Sequence, residues 1–376
     1  MKSSIPLGVV IGLLASSIWA AAQPALKDAF TGKFLIGAAL NESQFTEQNP
    51  VQTTLIKKQF NSITPENVLK WEVVHPDPDR FNFAPGDRYV EFGERNGMFV
   101  IGHTLVWHSQ TPKWVFEDAS GKPLERDALL NRMSNHIHAV VGRYQGRVKG
   151  WDVVNEALND SGTLRDTPWK KIIGEDYLVK AFEFAHAADP AAELYYNDYS
   201  LENAAKRNGA IRLVKKLQAA GVKITGIGTQ THAKMDWPSP QLVDDTLTAF
   251  GKLGVKVMIT ELDMDLLPAG SSNRGADVGL RVAQNPALNP YTNGLPDSVQ
   301  QALAKRYAEL FAVYVKHSPV VSRVTFWGVT DGDSWLNSWP VHGRTSHPLL
   351  FDRACQPKPA LAAVLETARP ANGRKD

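Results

Sequence analysis

The chain has 376 residues, 43% of them hydrophobic and 21% charged, with a formal net charge of +2. That balance suits a packed globular protein and excludes a disordered or fibrous one. Basic residues are dispersed without a Lys/Arg run, so no nucleic-acid partner is expected, and the single cysteine, Cys355, excludes an internal disulfide and a multi-cysteine metal site.

From the N-terminus, Met1-Lys2-Ser3-Ser4 followed by the apolar Leu7–Leu14 reads as a secretory signal, with Ala20-Ala21-Ala22 offering small residues for cleavage before Gln23. The apolar stretch is short against the roughly 20 residues of a membrane span. The expectation is a signal peptide over 1–22, one domain over 23–376, and export to the periplasm or outside the cell, with no membrane association after cleavage. Strands are expected at Phe34–Ala39, Ser62–Thr64, Met98–His103, Val148–Asn155, Glu193–Asn197, Gly226–Gln230, Val255–Thr260 and Arg323–Val329. Between them, helical periodicity covers Asp127–Tyr144, Ala204–Ala220, Pro240–Leu253 and Ser298–Lys316, the last with Asp297 read as its cap, and a closing helix is expected at Pro359–Ala368. Strands alternating with helices in one domain predict an α/β fold, a single (β/α)8 TIM barrel with its active site at the C-terminal face of the strands. An open doubly wound sheet is disfavoured, since no G-x-G-x-x-G follows the first strand. Leu266–Pro296, rich in Gly, Asn and Pro, is long for a connection and is expected to border the cleft.

Polar and aromatic clusters fall at the strand ends: Thr64–Trp71, Gly102–Gln110, Asn155-Glu156, Asn197-Asp198-Tyr199, Gln230-Thr231-His232, Glu261-Leu262-Asp263 and Trp327–Trp335. Glu156 and Glu261 each end a buried apolar run. Unpaired charges there are costly in a closed core but make sense at the open mouth of a parallel barrel. Two such carboxylates can supply the acid and the nucleophile of glycosidic-bond cleavage. The 10 Trp hint at stacking platforms for flat ligands such as sugars.

Trp151-Asp152-Val153-Val154-Asn155-Glu156-Ala157 and Ile259-Thr260-Glu261-Leu262-Asp263 resemble the acid/base and nucleophile segments of family 10 glycoside hydrolases, the endo-β-1,4-xylanases. The likeness runs from about Phe34 to Asp352. It implies retaining endo-hydrolysis of xylan through a covalent glycosyl-enzyme, with Glu156 as acid/base, Glu261 as nucleophile, and their carboxyls about 5–5.5 Å apart. It further implies that His232 hydrogen-bonds the nucleophile beside Gln230, that Asp263 orients His232, and that Asn155 donates to the sugar 2-hydroxyl. Glu66, Asn67, Lys70, His103, Trp107 and Gln110 match positions for the non-reducing-side sugars, Trp327 and Trp335 match stacking positions, and Tyr199 matches one for a leaving-side sugar. Val68-Leu69 departs from the family's frequent Glu-Met. No cofactor is implied, and His103, His108 and His232 lack the spacing of a metal motif. The expected partners are xylan and xylo-oligosaccharides, bound by a monomer. Hydrolysis of β-1,4-glucan by the same pair is the alternative. A sugar-binding barrel without chemistry would lack a carboxylate, and a phosphate-binding barrel would want a Gly-rich loop where Trp327–Trp335 stands.

Overall fold

The strand segments are apolar on successive residues rather than on alternate ones, as strands covered on both faces must be, and such strands pair in parallel. A computed structural model describes residues 23–268, 270 and 278–369; the expected signal peptide at 1–22 lies outside them. The strands are β1 (Leu35–Leu40), β2 (Ser62–Pro65), β3 (Phe99–Val106), β4 (Gly150–Asn155), β5 (Glu193–Asp198), β6 (Gly226–Thr229), β7 (His232–Lys234), β8 (Lys256–Asp265) and β9 (Val321–Phe326). Every pairing is parallel, and contact of β6 with β8 closes the order β6-β5-β4-β3-β2-β1-β9-β8 into a barrel. Each expected strand is present to within a few residues. β8 runs five residues past the expected Thr260, because β7, a short strand not foreseen, pairs alongside it in the register His232↔Asp263.

The intervening helices include Arg126–Arg143, Ala204–Ala219, Pro240–Gly251, Asp297–Lys316 and Pro359–Thr367. Several begin with proline, whose missing N–H falls where a helix needs none. Pro50, Pro168 and Pro240 start behind side-chain caps from Asn49, Thr167 and Ser239. Asp297 is not the expected cap. Pro296 holds that position, and Asp297 occupies the first helical residue, where its charge still favours the positive helix end.

Inside the barrel, small residues face large ones. A Cβ on Gly102 would lie 2.1 Å from the Trp151 ring, so glycine is the residue that lets this ring fill the barrel. Gly150 makes the same room for Tyr195, which packs with Ile101 and Met258. Trp71 and Trp151 are buried. Among the described residues, no helix is long and apolar enough to cross a membrane. The filled interior leaves the C-terminal rim as the place where polar side chains converge.

Candidate active site

Glu156 follows directly on β4, and its N–H donates to the Asn197 carbonyl at 2.8 Å, on the neighbouring strand. Glu261 sits within β8, its N–H 3.0 Å from the Gln230 carbonyl. Parallel pairing thus brings the two acids to one rim. They border a cleft of about 570 Å³ lined also by Glu66, Asn67, Lys70, His103, Trp107, Gln110, Asn155, Gln230, His232, Trp327 and Trp335.

Both carboxyls are buried and hydrogen-bonded. Glu156 accepts from Trp107 Nε1 at 2.9 Å on one oxygen, and from Gln230 Nε2 at 3.0 Å and Asn155 Nδ2 at 3.3 Å on the other. Asn197 donates 3.0 Å to the Asn155 side chain and 2.8 Å to Glu261 Oε1, while accepting from Thr260 Oγ1. A chain of amides therefore links the two acids. On its other oxygen Glu261 meets His232 Nε2 at 3.2 Å, and His232 Nδ1 meets Asp263 Oδ1 at 3.0 Å. Trp335 Nε1 donates to the second oxygen of Asp263 at 2.7 Å.

A carboxylate only accepts, so an imidazole serving two of them must carry protons on both nitrogens. Burial alone would strip His232 of its charge; Asp263 and Glu261 reverse this and carry its pKa up to about 10. Burial pushes Glu261 upward too, but His232, His103 and Asn197 outweigh it and hold the carboxyl below its ordinary value of 4.5. Glu156 goes the other way. Burial raises it most, Asp198 and Glu261 add repulsion, and donation from Gln230 and Trp107 offsets only part. The rim thus pushes the two acids apart, Glu261 toward giving up its proton and Glu156 toward keeping it, the division of labour that acid-assisted nucleophilic chemistry requires.

One flank of the cleft is a polar cluster. Lys70 Nζ donates to Asn67 at 3.0 Å and to Gln110 at 2.8 Å, and lies 5.1 Å from the Trp107 ring centroid. Burial lowers Lys70, while Glu261, Glu66, Glu156 and Glu72 work to keep its charge. Burial likewise raises Glu66. His103 Nδ1 pairs with Asp152 at 2.9 Å, which aims the ring from β3 toward the cleft. Opposite, Trp335 stacks on Trp339 with centroids 4.5 Å apart.

Two expected residues do not line this cleft. Asp263 lies behind His232. Tyr199 is only 4% exposed, its ring covered by the Lys206 ammonium and its hydroxyl held by Arg165. Val278, from the long Leu266–Pro296 connection, does line it. Residues 269 and 271–277 of that connection lie outside the described residues. The cross-strand bridge Asn197 was visible in sequence only as part of a polar strand end. Val278 had no signal beyond the length of its connection. Among the described residues, no three His, Cys, Asp or Glu side chains are grouped to hold a metal ion.

Comparison with known proteins agrees with this geometry. The profile of Glycosyl hydrolase family 10 matches residues 25–367. Endo-1,4-beta-xylanase A of Xylanibacter ruminicola is 45% identical over 358 residues, covering 95% of this chain and 97% of that protein. Beta-1,4-xylanase of Dictyoglomus thermophilum is 43% identical over 345 residues, covering 91% of each. A GH10 endoxylanase structure from a sugarcane soil metagenome superposes with a TM-score of 0.89 at 44% identity, over 91% of this chain and 99% of that one. With a profile match across nearly the whole barrel and relatives of this identity, the chain belongs to glycosyl hydrolase family 10.

Proposed function

We propose that the protein is an endo-1,4-β-xylanase that cleaves the xylan backbone with retention of anomeric configuration. The observation that carries this reading is a pair of buried, hydrogen-bonded carboxyls on one rim, joined by the Asn155–Asn197 amides and pushed in opposite directions, Glu156 toward its protonated form by burial and Glu261 toward its ionised form by His232. In the first half-reaction Glu261 attacks the anomeric carbon while Glu156 gives its proton to the leaving oxygen. Once Glu261 is esterified its charge is gone, and Glu156, relieved of that repulsion, takes a proton from the incoming water. The amide chain Asn155–Asn197 holds both acids through both steps. Lys70 supplies a charged donor, His103 a polar ring edge and the Trp327/Trp335 wall apolar faces for sugars along the cleft.

The test is hydrolysis of xylan and of soluble cellulose, with the first-formed anomer followed by NMR. The β-anomer appearing first, with xylan the faster substrate, is the expected result. An initial α-anomer would sink the retaining mechanism, and a cellulose preference would sink the substrate. Export rests on the basic and apolar residues of 1–22; N-terminal sequencing of secreted protein, expected to begin at Gln23, tests it.

A further inference from the structure

Glu156 leaves β4 with φ of 56°, a left-handed backbone that a side chain of this kind rarely adopts and that persists only where its surroundings impose it. Asp198, the last residue of β5, is placed to impose it. Its carboxylate is fully buried, accepts from three donors (the Leu158 N–H at 3.2 Å, the Tyr196 hydroxyl at 2.5 Å and the Tyr199 N–H at 2.9 Å) and forms an ion pair with the Lys206 ammonium at 2.9 Å. One side chain thus ties down the turn just beyond Glu156, the start of the next strand-end loop and the helix Ala204–Ala219. Lys206 is equally buried. Its Nζ lies 3.5 Å from the centre of the Tyr199 ring and 3.6 Å from Asp160, in the loop that carries Glu156. A buried ion pair adds little stability over apolar residues of the same volume, so stability alone gives no reason for one here.

We propose that Asp198 and Lys206 are a positioning pair for the reaction, fixing the Glu156 carboxyl and the Tyr199 ring relative to each other; this rests on Glu156 being the acid/base. The pair also sets the field at Glu156. The charged and titratable groups facing that carboxyl are Asp198 at the end of β5, Tyr199 just after it, Arg165 in its own loop, Lys70 beyond β2 and Glu261 in β8. Those facing Asp198 are Lys206, Arg165, Tyr196 and Tyr177. Asp198 favours the proton on Glu156, and Lys206 moderates that push.

Two substitutions therefore act in opposite directions. Asp198→Asn removes the negative charge and leaves Lys206 unbalanced, so the alkaline limb of kcat/KM on xylan is expected to move to lower pH by about 1 unit. Lys206→Gln removes the positive charge and leaves Asp198 with the Leu158, Tyr196 and Tyr199 donors, and the limb is expected to move to higher pH. A merely structural role would lower activity in both variants without opposed shifts. Opposed shifts support the pair; shifts of one sign, or unmoved limbs, overturn it. Should Asp198→Asn fail to fold by circular dichroism, Lys206→Gln decides alone, an upward shift supporting and any other result overturning. The control is Glu156→Gln on xylan and on a dinitrophenyl xylobioside, whose leaving group needs no acid. Loss of xylan turnover with an undiminished dinitrophenolate burst upholds the acid/base assignment. Wild-type turnover of xylan by Glu156→Gln would overturn that assignment, and the pair with it.

Discussion

His232 stands between two acceptor-only groups, and its charge decides what the residues around it can do. It favours the ionised, nucleophilic form of Glu261, while burial and Asp198 favour the proton on Glu156. Activity on xylan should therefore follow a bell in pH, its acid limb below 4.5 from Glu261 and its alkaline limb above 4.5 from Glu156. A kcat/KM profile with both limbs on the same side of that value would contradict the assignment. Substitution separates the two roles further. Glu261→Ala should abolish turnover, with azide restoring release from an activated xyloside as the inverted glycosyl azide. Glu156→Ala should lose about 10²–10⁴-fold on xylan yet still open substrates with good leaving groups. Azide products of retained configuration from Glu261→Ala would reverse the roles.

At the scale of elements, strand ends supply the reacting groups, and the connections hold them in place. The loop after β4 is pinned to the helix Ala204–Ala219 by a glycine contact. Gly162, at φ of 77°, approaches the helix so closely that a Cβ would lie 2.2 Å from the Ala205 carbonyl, and its own carbonyl accepts from Arg212 at 3.0 Å. Gly162→Ala is expected to cost about 1–3 kcal/mol, from strain and from a contact that cannot relax. Because the same loop carries Glu156, kcat should fall more than KM rises. Urea denaturation and steady-state kinetics on one preparation check both; an unchanged kcat would separate the glycine contact from the site. The added strand β7 works in the same way. By pairing with the far end of β8 it sets His232 beside Asp263 in register, so the ring is aimed by backbone hydrogen bonds as well as by its carboxylates.

For the whole molecule, the same charges connect the site to stability. The folded state raises His232 from its ordinary 6.5 to about 10, so it binds that proton more tightly than the unfolded chain does. This contribution is present in full below pH 6.5 and is lost as pH rises through about 10. Urea midpoints measured across that window should decline in the wild type and decline less in His232→Gln. Parallel curves for the two proteins would show that the ring contributes nothing to folding. Glu261 contributes in the opposite sense, its lowered value adding stability above 4.5 that disappears on further acidification.

The amino-acid sequence by itself determined the barrel and the location of its chemistry, because both are written in local pattern. Short, continuous apolar runs rich in β-branched residues suit strands covered on both faces, the segments between them carry helical periodicity, and Glu156 and Glu261 end two of the runs where an open rim accepts a charge. What lay beyond local pattern was which side chains meet across strands. Asn197 joins Asn155 to Glu261, Asp198 receives Leu158 and Lys206, and Tyr199 is covered by Lys206. Val278 reaches the cleft from the long Leu266–Pro296 connection. Only the tertiary structure decided these contacts, and with them the direction in which each carboxyl is pushed, since a pKa depends on burial and on neighbours brought close by closing the barrel.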